Sequence, residues 1–207
     1  MHTRKTILAV LVAGAVLGSG GVSAENSGWY VGAGVGQSSV DISGSEVDAL
    51  TAAEGLTSTT SVDDTDTAWK LFGGYRLTEN FGIETAYMDY GSITSDTTVT
   101  APVAGTINID LETTAWIIDA VGILPLNEQF ELFGKLGVAM WDIEADVSAV
   151  AGGTAFGGSV EDDGSDFHFG VGAGYALTDT IGIRAEWERV NGDDDLDAWT
   201  VGAQFGF

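Results

Sequence analysis

The sequence has 207 residues, 31 acidic against seven basic, for a net charge of −24, and it has no cysteine. So acidic a chain lacks the basic patches that grip phosphates, which excludes nucleic-acid binding, and it can build no disulfide framework. Its 30 glycines accompany only two prolines, Pro102 and Pro125, without the period of a collagen.

At the N-terminus, Arg4 and Lys5 precede an apolar run from Ile7 to Leu17, and Val22-Ser-Ala24 forms a small-residue cleavage site. These three parts predict an export signal over residues 1–24 and a single domain over 25–207. The run is too short to cross a bilayer as a helix, and no longer one follows it. All 31 carboxylates lie beyond it, with only Lys70, Arg76, Lys135, Arg184 and Arg189 as cations. Any membrane role must therefore come from strands.

Eight segments of alternating character follow, over 29–40, 67–77, 81–91, 111–124, 130–143, 166–177, 181–190 and 196–207. Each is about as long as the 9–11 residues a tilted strand needs to cross a membrane. The last shows the period most plainly: Trp199, Val201, Ala203, Phe205 and Phe207 alternate with small or polar residues. Three connections are tight, at 77–80, 125–129 and 177–180. Those at 41–66, 92–110 and 144–165 are long, and 191–195 is short. Tight turns on the periplasmic side and longer loops outside are the pattern of an outer-membrane barrel. The predicted fold is all-β, an eight-stranded antiparallel up-and-down transmembrane barrel. Its even strand number puts both mature termini in the periplasm.

Side-chain parity sorts the aromatics into two levels. Trp29, Tyr75, Phe81, Phe130, Tyr175, Phe205 and Phe207 fall at the turn end, and Trp69, Tyr87, Trp116, Phe167, Trp187 and Trp199 nearer the loops. Two girdles around an aliphatic band suit a bilayer, and a soluble barrel has no cause to build them. The opposite faces carry Lys70, Arg76, Glu84, Asp119, Glu131, Lys135, His168, Arg184, Glu186 and Glu188. A charge facing lipid at mid-depth costs about 2–4 kcal/mol, so these side chains are expected in the lumen, where they can pair. Trp141 and Tyr90 share that parity, as core filling or at a bulge.

The motifs argue against catalysis. Asp166 and His168 form the Asp-x-His pair seen in outer-membrane aspartyl proteases, with Asp64 and Asp66 as the opposing acids, but eight strands are too few for that fold. A lipid-A deacylase needs a serine near the histidine, and the residue two after His168 is Gly170. Gly32-Ala-Gly-Val-Gly36 and Gly170-Val-Gly-Ala-Gly174 open no helix and are not phosphate loops. Asn191-Gly-Asp-Asp-Asp195 resembles part of a calcium loop but lacks its final glutamate. No catalytic residue, cofactor or resident metal is expected. The first long loop carries Asp41, Glu46, Asp48, Glu54, Asp63, Asp64 and Asp66, and the third Glu144, Asp146, Glu161, Asp162 and Asp163. Without cations among them, these loops suit a solvated surface, or weak binding of divalent cations.

The runs Leu71-Phe-Gly-Gly-Tyr-Arg-Leu-Thr-Glu-Asn-Phe-Gly-Ile-Glu84, Leu132-Phe-Gly-Lys-Leu-Gly-Val138, Phe169-Gly-Val-Gly-Ala-Gly-Tyr-Ala-Leu-Thr178 and Ile183-Arg-Ala-Glu-Trp187 resemble the transmembrane domain of OmpA-type outer-membrane proteins. The resemblance covers nearly all of the predicted mature chain and implies a lumen plugged by salt bridges. It implies that Glu84 meets Arg184, with Lys135 and Glu186 as further members. Lys70 and Asp119 complete the candidate network, Asp119 standing near a place where the family can carry a lysine. Phe207, with Phe205, resembles the terminal aromatic read by the barrel-assembly machinery during insertion. The family's periplasmic peptidoglycan-binding domain has no counterpart in this sequence. The expected function is structural, supporting the envelope and presenting surface loops, in a monomer among outer-membrane lipid and lipopolysaccharide. A small low-conductance pore is the second reading and an enzyme the third.

Overall fold

A computed structural model describes residues 28–40, 44–53, 55, 57–101, 104–192 and 195–207. The expected export signal lies outside them. The elements are β1 (Gly28–Val40), α1 (Gly44–Ala53), β2 (Thr57–Asp63), β3 (Thr65–Arg76), β4 (Phe81–Ala101), β5 (Gly105–Pro125), β6 (Phe130–Ala151), β7 (Thr154–Ala176), β8 (Ile181–Asn191) and β9 (Leu196–Gly206). Each strand from β3 to β9 pairs antiparallel with the next, and β1 pairs with both β3 and β9. Eight strands thus close a ring, and closure leaves no sheet edge within it. The ends meet at β1 and β9, where the Phe207 N–H donates to the Trp29 carbonyl at 2.9 Å.

The period of two divides each strand as parity predicts. Val31, Val35, Leu71, Ile83, Ile118 and Leu136 are exposed on the outside. Aromatic contacts mark both levels. Trp29 meets Tyr75 and Phe130 meets Tyr175 at the turn end. Trp69, Tyr87 and Trp116 form a chain at the other level, with ring centroids 5.7 and 5.3 Å apart, as do Phe169, Trp187 and Trp199.

The long connections differ from expectation. Residues 92–110 and 144–165, predicted as loops, largely continue the strands: β4 and β5 stay paired to Val99↔Gly105, and β6 and β7 to Ala151↔Thr154. Their carboxylates hide a second period-two series of β-branched and apolar residues, Ile107, Ile109 and Leu111 on β5 facing Ala149, Val147 and Ala145 on β6. The first loop also holds structure. β2 pairs with the extension of β4 from Thr57↔Ala101 to Asp63↔Thr94. α1 is tied to it by Asp48, which accepts from Thr60 at 2.8 Å and Ser58 at 2.9 Å. Those two bonds, Thr60's foremost, hold the Asp48 carboxyl below its ordinary pKa. The ring and this protruding sheet join at a bulge between Asp89 and Ser92. Gly91 there takes φ 77°, which a side chain resists. Asp66 braces the bulge by accepting from the Ser92 N–H at 2.6 Å.

Candidate functional site

Six of the ring's strands bring charges to one level of the lumen. Lys70 on β3, Glu84 on β4, Asp119 on β5, Lys135 on β6, His168 on β7 and Arg184, Glu186 and Glu188 on β8 are all buried. Parity alone turns them inward, and lateral pairing sets their height. Glu84 is level with Asp119 and Arg184 with Gly174 on their neighbours.

Glu84 accepts from Lys135 at 2.6 Å, from the Arg184 Nη1 at 2.8 Å and from the Tyr30 hydroxyl at 2.9 Å. Glu188 takes Lys70 at 2.6 Å on one oxygen and Lys135 at 2.9 Å on the other. Glu186 joins Lys70 at 2.7 Å and also contacts Lys135. Its other oxygen lies 2.6 Å from the Arg184 Nε, an ion-pair contact in which the N–H points elsewhere. Asp119 stands apart from Glu84 and bonds His168 Nδ1 at 2.8 Å. All six predicted network residues are therefore buried in one layer. Among the described residues, Asp119 is linked to the rest through His168, whose Nε2 lies 3.9 Å from Glu188.

Aromatic rings clamp the cluster on its turn side. The Arg184 guanidinium lies 4.3 Å from the Phe72 centroid and 4.5 Å from that of Phe133. Inward glycines seat these rings: a Cβ on Gly32 would collide with Phe72, one on Gly172 with Phe133, and one on Gly74 with Tyr30. Beyond them a cavity of about 840 Å³, lined by Arg76, Glu131 and Gln204 among others, opens toward the tight turns. Arg76 and Glu131 pair across it at 2.7 Å.

On the loop side the cluster is sealed by apolar residues. One or two inward positions further along the strands lie Ala68, Met88, Ile117, Ala139, Val190 and Ala198, all buried. Tyr90 and Trp141 fill the same layer. Tyr90 adjoins the β4 bulge, and the Trp141 indole donates to Asp166 at 2.7 Å.

Glu188, Tyr30, Phe72 and Phe133 were not among the predicted site residues. Glu188 had the signal, sharing the inward parity of Arg184 and Glu186. Tyr30 and Phe72 were marked by inward glycines two residues away, Gly32 and Gly74, whereas Phe133 stands between Glu131 and Lys135 and its seat at Gly172 lies across the sheet.

Asp119, His168 and Glu188 could in principle hold a metal, since one ligand atom from each lies within 4.8 Å of the others. Two ammonium groups already hold Glu188 and repel a further cation, so the arrangement suits ion pairing better. His168 Nε2, Tyr90 Oη and Thr200 Oγ1 are buried without a hydrogen-bond partner among the described residues. The protease-like pair is not assembled, because His168 turns to Asp119 while Asp166 serves Trp141. Of the calcium-like segment, residues 193 and 194 lie outside the described residues, and Asp195 pairs with Arg189 at 2.8 Å and accepts from the Asn191 amide at 2.6 Å.

The protruding sheet has two unlike faces. On the outer face Asp110 stands opposite Asp146, Glu112 opposite Glu144, Glu144 opposite Glu161, and Asp142 opposite Asp163. All are exposed.

The family model for the outer membrane protein β-barrel domain matches residues 6–207. No curated protein matches the chain. Among solved structures, the chain is similar to Ail of Yersinia pestis in complex with the heparin analogue sucrose octasulfate, at 17% identity and a TM-score of 0.52, over 88% of this chain and 98% of that one. It is also similar to OprG of Pseudomonas aeruginosa, at 14% identity and a TM-score of 0.53, over 90% and 99% of the two chains. At these identities the likeness concerns the fold.

Proposed function

This chain belongs to the outer membrane protein β-barrel domain family, and from that premise we propose a structural, non-catalytic role. The barrel stands closed in the outer membrane as a monomer, supports the envelope and presents an acidic sheet at the cell surface. The observation that carries this reading is the double closure of the lumen, an ion-paired layer backed by an apolar one. An ion entering from the cavity meets Arg184 locked to Glu84, and then the side chains of Met88 and Ile117. Eight strands leave room for little more than such filling. The cavity favours a pore only as far as that barrier.

Planar-bilayer recording on the refolded protein tests this. The expected trace is silent, and regular unit steps of current would overturn the closed-barrel reading in favour of a pore.

In the proposed orientation the tight turns and both termini face the periplasm and the protruding sheet faces outward. Protease added to intact cells is expected to cut within 41–66 or 144–165. Cuts confined to 77–80 or 125–129 would reverse the orientation. The acidic outer face would meet the anionic headgroups of lipopolysaccharide through divalent cations. A sulfated polyanion such as the one held by Ail has the wrong charge for that face.

A further inference from the structure

β7 pairs with β6 along its whole length, but β8 reaches it only from Ala176↔Gly182 to Phe167↔Asn191. Among the described residues, 154–166 thus have a sheet partner on one side alone. Backbone groups alternate in direction along an antiparallel strand. The Ala176 N–H donates toward β6, to Gln129, and the Leu177 N–H toward β8, to Ile181. Even-numbered residues of β7 therefore pair with β6. Odd-numbered Ala155, Gly157, Ser159, Glu161 and Ser165 direct their N–H and C=O groups at solvent, while the N–H of Asp163 donates to the Asp162 carboxylate at 3.1 Å. Such a row is a template for strand addition.

The side chains decide which strand fits. On the outer face Glu161 and Asp163 stand opposite Glu144 and Asp142. Like charges directly opposite destabilise a sheet, and cations brought beside them relieve the repulsion. On the inner face Phe156 and Val160 are 61% and 63% exposed, apolar positions with little packed over them. A second copy of this chain would bring its own carboxylates to the edge, so the same charges disfavour self-association. We propose that this edge docks a basic, extended segment of another protein by strand addition, with cations against Glu161 and Asp163 and apolar residues over Phe156 and Val160.

The biological setting rests on the surface-presenting role, but binding is measured on the purified barrel, so the two readings fail separately. The probe is a peptide of alternating lysine and valine, about ten residues long like an ordinary strand. A glutamate–valine peptide of equal length is the control. Both are added to the full barrel in zwitterionic nanodiscs. The lysine–valine peptide is expected to bind and to slow amide exchange at odd-numbered residues of 155–165, and the control to do neither. Glu161→Lys with Asp163→Lys should weaken binding by about tenfold or more, as for other close charge pairs at interfaces. Ser159→Pro removes an outward N–H without altering charge or β6 pairing. It should abolish the slowed exchange and leave the unfolding midpoint unchanged. Equal binding of both peptides would overturn the proposal. So would binding that Ser159→Pro leaves intact, which would mark charge attraction without strand addition.

Discussion

Arg184→Ala is expected to cost about 3–5 kcal/mol of barrel stability, the range for breaking a buried ion pair by removing one partner. Arg184 is the side chain on which the lumen's two kinds of contact converge. It bonds Glu84 through Nη1 at 2.8 Å and Nη2 at 3.4 Å, touches Glu186, and lies between the Phe72 and Phe133 rings. Truncation strips Glu84 of one of its two cations, leaves the rings facing a void, and exposes the layer to the cavity. Arg184→Lys should rescue little, since an ammonium neither forks onto a carboxylate nor stacks between two rings. Glu84→Ala in the same chain should recover part of the loss, because no carboxylate is then stranded. The measurement is urea unfolding of wild type, both single variants and the double. Additive losses would show that the two side chains act independently.

Lys135→Met should have an effect of the same order, about 3–5 kcal/mol, from charge alone. Methionine keeps most of the lysine's apolar stem, so packing changes little. The ammonium, however, contacts Glu84 at 2.6 Å, Glu188 at 2.9 Å and Glu186 as well. Without it, three buried carboxylates share Lys70 and Arg184. Adding Glu188→Gln should restore part of the stability by removing one of those charges. A loss under about 1 kcal/mol, the level of an exposed pair, would mean that water reaches the cluster and screens it.

The girdles, the turns and the inward charges were legible because each depends on one strand at a time. A period of two tells which face Glu84 or Arg184 occupies, and the strand's direction tells the end at which Trp29 or Trp199 lies. The extension of the strands through 92–110 and 144–165 was obscured by carboxylates. Asp110, Glu112, Glu144 and Asp146 look like loop residues until their partners across the sheet are known. β2 was hidden for a related reason, since Thr57–Asp63 becomes a strand only against the extended β4.

What the sequence by itself determined, then, is the barrel: eight ring strands, an apolar exterior and a charged interior, because side-chain alternation is a local property of each strand. Which interior charges meet was decided only by the tertiary structure. Strand tilt and stagger set the height of each inward residue, so partners on distant strands cannot be read from spacing. Closure carries Lys70 of β3 across to Glu186 and Glu188 of β8, sets Lys135 between those two and Glu84, and leaves Asp119 to His168. It also turns the inward glycines into seats for Phe72 and Phe133, so that a small residue on one strand positions a ring on another.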